Sequence, residues 1–152
     1  PDRKYWHHVV GHNFRLTNMQ AAMLCAQFQQ RDEIIEMRDR VYQGYRQRLS
    51  GIEGLCMQRF DSEVAPVVWA VGLRLSPDTH PRSRDEIIVQ LAEDGIECRP
   101  GFYAASQQSI YAAAPLTFSE SVATETIVPP TPPDLADDDL DYICGRLLAA
   151  LE

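Results

Sequence analysis

An α+β fold, with helices laid over a small antiparallel sheet, is what this sequence predicts, and three observations carry that reading. Apolar residues recur at helical spacing near both ends of the chain, in 28–49 and again in 140–151. Between them Val67, Trp69, Val71, Leu73 and Leu75 alternate with smaller residues at a strand's period of two. With 152 residues, 45% hydrophobic and 24% charged, the chain is long enough for one packed core and ordinary in balance for a globular domain.

Residues 1–16 show no clear period and read as an extended leading segment. A helix follows, with Thr17 or Asn18 as N-cap, running toward Leu49 and stopping at Gly51. Unbroken, it would span roughly 48 Å at the α-helical rise. Its first part, Met19 to Ala26, is apolar almost all round, which predicts burial on several sides. In its second part Phe28, Ile35, Tyr42 and Leu49 repeat every seven residues, with Ile34, Val41 and Tyr45 beside them. Arg31, Arg38, Arg40 and Arg46 fall mostly on the other face, so the helix is expected to bridge two packed bodies. The domain reading is therefore 1–50 as leading loop and long interdomain helix, and 51–152 as a small α/β domain.

Strands are expected at Leu55 to Phe60 and Val67 to Leu75. Ser83 and Glu86 have capping-box spacing and open a helix that turns Ile87, Ile88, Leu91 and Ala92 inward and ends at Gly95. Ile96 to Arg99 reads as a strand halted by Pro100. Thr117 and Glu120 suggest a second capping box, on a helix holding Val122 and Ile127. Pro129 to Pro133 is an extended connector, for which a role as a proline-rich ligand is the weaker alternative. The last helix starts near Asp137, where acidic side chains suit the positive end of the helix dipole. It presents Leu140, Ile143, Leu147, Leu148 and Leu151 on one face.

Charge and motifs narrow the function. A net charge of −8, with 14 basic against 22 acidic residues, argues against a nucleic-acid partner. No apolar run approaches the roughly 20 residues that cross a bilayer, so no membrane role is expected. The four cysteines (Cys25, Cys56, Cys98, Cys144) are widely spaced, form no ligand pair and read as small buried thiols in a reducing cytoplasm. His7, His8 and His12 invite a metal reading, but Gly11 and the missing apolar period argue against a helix that would align them, so none is expected. Gly11-His12-Asn13-Phe14-Arg15 is different in kind. Its amide and guanidinium stand directly before a buried helix and can donate to a phosphate or carboxylate, with an ordinary solvated turn as the alternative.

The run Tyr5-Trp6-His7-His8-Val9-Val10-Gly11-His12-Asn13-Phe14-Arg15-Leu16-Thr17-Asn18-Met19-Gln20-Ala21-Ala22 resembles a signature of the DegT–DnrJ–StrS sugar aminotransferases, and within them that of the perosamine-forming branch. Gly95 to Pro100 with Phe102-Tyr103, and Val128-Pro129 with Pro132 and Leu135 to Ile143, resemble later family segments in the same order. The resemblance implies the small C-terminal domain of a fold-type-I aminotransferase. Such enzymes use pyridoxal phosphate, work as homodimers, and move an amino group from glutamate to a keto group on a nucleotide-linked sugar. It also implies that Asn13 reaches the cofactor phosphate of a neighbouring subunit, and that Arg15 lies near substrate or braces the loop. Phe102, Tyr103 and Ser106 would occupy the substrate-facing turn.

Two departures stand out. The family's Pro-x-His is here Ala104-Ala105-Ser106, and His12 replaces an aromatic residue. The only lysine is Lys4, which precedes the Tyr-Trp-His run and lacks the flanking pattern of the family's cofactor lysine. The expectation is thus of a C-terminal portion, inactive alone and missing an N-terminal domain, whose Ala21 to Ala26 stretch packs on what is absent. Isolated, it is expected to expose that stretch and self-associate. A non-catalytic dimerisation module and a fragment of a related dehydrase are the competing readings.

Overall fold

The computed structural model describes residues 4–111 and 114–152. Its helices are α1 (Asn18–Gln29), α2 (Arg31–Leu49), α3 (Arg84–Glu93), α4 (Thr117–Glu125) and α5 (Asp137–Leu151). Its strands are β1 (Leu55–Met57), β2 (Leu73–Leu75), β3 (Arg99–Pro100) and β4 (Thr126–Val128). They form one four-stranded sheet in the order β1-β2-β4-β3, antiparallel throughout. The α+β expectation holds.

Alternation along β2 divides the molecule into layers. Leu73 and Leu75 point into a core with Leu55, Ile127, Tyr45, Leu49, Ile87, Leu91, Leu140 and Leu147, so α2, α3 and α5 cover this face. Arg74 points the other way, where its Nε donates to Glu125 of α4 at 2.6 Å and its guanidinium lies 5.4 Å from the Phe118 ring. Helices α2 and α5 meet at Gly44, where a Cβ would stand 2.6 Å from Leu140 Cδ1. One turn on, Arg48 Nε donates to Asp141 at 2.6 Å. Tyr45, fully buried, donates its hydroxyl to the Pro130 carbonyl at 2.6 Å, which ties the proline connector to the core. Arg146 grips both carboxylate oxygens of Asp94 at 2.8 Å and fastens α5 to the end of α3.

Local signals explain several boundaries. Thr17 caps α1 in a reciprocal box with Gln20, and Ser83 does the same for α3 with Glu86. The chain leaves α3 through Gly95 at φ 78°, left-handed backbone open to glycine.

Other expectations need correction. The long helix is two, parted at Gln30 (φ −105°, ψ 13°); Asp32 and Glu33 in the first turn of α2 supply a start signal of their own. Helix α1 buries none of its residues, and Phe28 and Ile35 are exposed with it, because no other described element lies against them. Period-two alternation over 67–75 becomes paired strand only at Leu73–Leu75, since β1 and β4 are three residues each and leave Val67 and Trp69 without a neighbour. The first strand likewise ends at Met57 rather than Phe60.

Pro100 joins β3 instead of halting it, pairing with Ile127 at the sheet edge, where a missing N–H costs nothing. Ile127 belongs to β4, not to the preceding helix, and Ala92 is exposed. Leu116 rather than Thr117 caps α4; the Glu120 carboxylate accepts the Leu116 N–H at 3.0 Å, so no hydroxyl is needed there. Cys98 and Cys144 are buried as expected, but Cys25 and Cys56 are exposed, Cys25 because α1 is uncovered and Cys56 because it points away from the core face of β1.

Candidate functional site

The two segments to which the resemblance assigns site residues, 5–15 and 95–106, lie about 90 residues apart in sequence, and the fold brings their near ends together. After α3 the chain turns through Gly95, buries Ile96 and Cys98, and enters β3 at the edge beside β4. Gly101 N–H donates to the Thr126 carbonyl at 2.8 Å, so β4 sets where the following turn begins. That turn carries Phe102 and Tyr103 and closes in a 3-10 turn, Ala105–Gln107.

Against it rests the leading segment. The Tyr5 and Phe102 rings lie 4.5 Å apart, and Trp6 meets Tyr103 edge-on at 5.2 Å. Gln108 donates from Nε2 to the Tyr5 carbonyl at 2.9 Å and accepts the His7 N–H at 3.0 Å. Lys4 Nζ lies 3.3 Å from Glu97 in an exposed ion pair. Beside this contact opens a cleft of about 390 Å³, whose walls include Tyr5, Arg38, Trp69, Arg99, Phe102 and Pro130.

Beyond His7 the segment leaves the body. Asn13 and Arg15 are exposed, and neither side chain has a hydrogen-bond or ion-pair partner among the described residues. His12 and Phe14 face each other at 6.1 Å, with Phe14 84% exposed. The loop thus holds an amide and a guanidinium with every donor unspent. That chemistry fits an anionic group such as a phosphate.

Ser106 is half-buried and committed. Its hydroxyl donates to Glu120 Oε1 at 2.5 Å, so its own oxygen is left as an acceptor. The same bond, with the Leu116 N–H after it, holds the Glu120 carboxyl below its ordinary range. Of the expected site residues, Phe102, Tyr103 and Ser106 therefore share one turn, while Asn13 and Arg15 project from an arm anchored to that turn. Residue-type reasoning overlooked Gln108 and read Glu120 only as a helix-capping residue. A glutamine in a polar stretch looks like solvated surface, and no spacing ties Gln108 to Tyr5 and His7.

Among the described residues no three histidine, cysteine or carboxylate side chains converge on a point that could hold a metal ion. No described helix is long and apolar enough to cross a membrane.

Comparison with known proteins identifies the fold and the family. GDP-perosamine synthase of Caulobacter vibrioides is 32% identical over 156 aligned residues, covering 100% of this chain and 41% of that protein. The chain spans about two fifths of the length of the curated relatives it matches. Among solved structures, DesV of S. venezuelae superposes with a TM-score of 0.79 at 24% identity over 100% of this chain and 41% of its own. PseC of Helicobacter pylori, an aminotransferase involved in pseudoaminic acid biosynthesis, superposes with a TM-score of 0.80 at 17% identity, over 95% of this chain and 40% of its own. Both superpositions speak to the fold. Residues 1–148 match the sequence profile of one family, and the chain belongs to it: the DegT/DnrJ/EryC1/StrS aminotransferases.

Proposed function

We propose that this chain is the C-terminal portion of a pyridoxal-phosphate-dependent aminotransferase that transfers an amino group from glutamate to the keto carbon of a nucleotide-linked sugar, in perosamine-like amino-sugar synthesis. The observation that carries this reading is the docking of the arm bearing Asn13 and Arg15 onto the turn bearing Phe102, Tyr103 and Ser106, which puts both family motifs on one body. The cofactor, when bound, supplies the electron sink for moving the amino group.

The residues here position and select. The Asn13 amide donates to a phosphate oxygen of the cofactor held by a neighbouring copy, so the working unit is a homodimer. Arg15 pairs with a substrate anion or braces the loop from that side. Phe102 and Tyr103 offer apolar faces to the sugar nucleotide. Ser106, its proton held by Glu120, offers an oxygen that accepts from a sugar hydroxyl. Lys4 is a surface ion-pair partner of Glu97, and the cofactor's covalent lysine lies in the N-terminal domain of the parent protein. On this reading the chain alone is inactive and does not retain the cofactor. The uncovered stretch Ala21 to Ala26 of α1, with Met19 and Phe28 exposed on either side of it, packs against that domain, although it equally suits a dimerisation module. The exposed free thiols of Cys25 and Cys56 suit a reducing cytoplasm.

Two measurements test it. The full-length protein, given pyridoxal phosphate, glutamate and a nucleotide-linked 4-keto-6-deoxy sugar, is expected to release 2-oxoglutarate and an amino sugar in equal amounts. Elimination of water without net amino transfer would instead favour the dehydrase reading. This chain alone, mixed with the cofactor and reduced with borohydride, is expected to gain no mass; a stoichiometric adduct on Lys4 overturns the fragment reading.

A further inference from the structure

Gln108 is singular in its burial: tyrosine and cysteine aside, it is the only polar side chain among the described residues in the buried class, at 6% exposure. A buried carboxamide keeps its place only when both its ends are bonded. Here the bonds go neither to its own turn nor to the sheet but to main chain about 100 residues away. Nε2 donates to the carbonyl of Tyr5 and Oε1 accepts from the N–H of His7. Binding the carbonyl before a residue and the amide after it is how one strand grips another in a parallel ladder, so the side chain acts as a single backbone rung spanning Trp6.

Three further observations show what the rung holds. Tyr5 has φ 64°, backbone that side-chain-bearing residues seldom adopt, directly beside the bonded carbonyl. On either side of that bond the Tyr5 ring lies on Phe102 and the Trp6 ring on Tyr103. Beyond His7 every residue to Gln20 is exposed. Among the described residues the rung is thus the last polar tie between the arm and the body before the arm reaches Asn13 and Arg15. Residues flanking Gln108 reinforce its position, since the N–H of Gln108 donates to Ala105 and that of Tyr111 donates to Gln108.

We infer that Gln108 is a positioning residue: it locks the arm carrying Asn13 and Arg15 to the substrate-facing turn, so that the cofactor-side and sugar-side groups keep one register. This rests on the function proposed above, and it adds a residue that touches neither cofactor nor sugar. Gln108→Leu keeps the apolar stem and removes both bonds. Gln108→Glu keeps the acceptor for His7 and sets a carboxylate against the Tyr5 carbonyl.

Hydrogen exchange and kinetics together decide the matter. In this chain, Gln108→Leu is expected to speed exchange of the His7 amide about tenfold or more and leave amides of β2 and α5 unchanged. In the full-length protein it is expected to lower kcat/KM for the sugar nucleotide about 10–100-fold, chiefly through KM, because displacing positioned groups by about an ångström carries penalties of that order. Gln108→Glu should fall between Leu and the unsubstituted protein in both measurements.

Faster exchange with unchanged kinetics makes Gln108 a structural tie only and overturns the inference. Unchanged exchange at His7 overturns it outright. An unsubstituted full-length protein that transfers no amino group sinks the proposed function, and the kinetic half of this inference with it. The exchange result would then still decide whether Gln108 holds the arm.

Discussion

Helix α1 and the second half of α2 are neighbours in sequence, both apolar-rich, and they end in opposite conditions. From Val41 to Leu49, α2 buries Val41, Tyr42, Gly44, Tyr45 and Leu49 against β1, β2 and α5. From Asn18 to Gln29, α1 buries nothing, and Met19 is 81% exposed. The difference is not hydrophobicity. A helix face stabilises a fold only when another apolar face covers it, and α5 supplies that cover for α2 through the close approach at Gly44. No described element does so for α1, whose apolar residues are distributed around the helix rather than gathered on one side. The body is held by its own contacts; the arm is held at its base by Gln108 and two aromatic pairs.

The sharpest way to break this contrast is truncation of matched leucines. Leu73→Ala or Leu140→Ala, each in a fully buried site, is expected to cost about 2–5 kcal/mol in denaturant unfolding of this chain. Leu24→Ala in α1 is expected to stay within about 0.5 kcal/mol, the range of exposed positions. A comparable loss at Leu24 would mean that α1 is already covered, for instance by a second copy.

At the point where α2 meets α5, Gly44→Ala drives a methyl group against Leu140 and is expected to cost about 1–3 kcal/mol by overpacking. Tyr45→Phe keeps the ring but strands the Pro130 carbonyl, with an expected cost of about 1–2 kcal/mol. Thermal unfolding of both variants measures whether this seam holds the body together. If neither moves the midpoint, the seam is looser than its distances imply.

Thiol chemistry reads the same division without mutation. Burial pushes the Cys98 thiol up to about 12 and the Cys144 thiol up to about 11, so neither presents thiolate at pH 8. Iodoacetamide at that pH is expected to label Cys25 and Cys56 in the folded chain and to reach Cys98 and Cys144 only on unfolding. Mass mapping against time checks it, and early labelling of Cys144 would place α5 outside the stable body.

The smallest effect is expected at the Ser106–Glu120 bond. Because the folded Glu120 carboxyl titrates below its ordinary value of 4.5, its contribution is fully present above that value and is lost as pH falls through the folded pKa. The protection of residues 104–110, after allowance for the intrinsic slowing of exchange in acid, should therefore fall at pH below the ordinary carboxylate range, while α5 stays protected. Glu120→Gln should remove that pH dependence. A loss of protection that persists in the variant would assign it to another group.

Much was legible in the residues because the signals are local. Ser83 with Glu86, Gly95, and the acidic start of α5 each stabilise a helix end through atoms within four residues. The family was legible by resemblance in the Tyr-Trp-His run, and the match over residues 1–148 agrees. Strand lengths were not. Val67 to Leu75 alternates throughout, but hydrogen-bonded pairing needs a partner at each rung, and β1 and β4 offer three residues each.

Sequence by itself determined the fold class, most helix starts, the buried faces of α5 and of the second half of α2, and the family, since each rests on short-range periodicity, capping or a contiguous motif. Tertiary structure alone decided that α1 stands uncovered, that Cys25 and Cys56 face solvent, and that Ser106 gives its proton to Glu120. It alone decided that Gln108 reaches across about 100 residues to grip Tyr5 and His7. Each of these depends on which distant surface arrives beside a residue. Local propensity carries no record of that, because contact energy is set by the partner as much as by the residue itself.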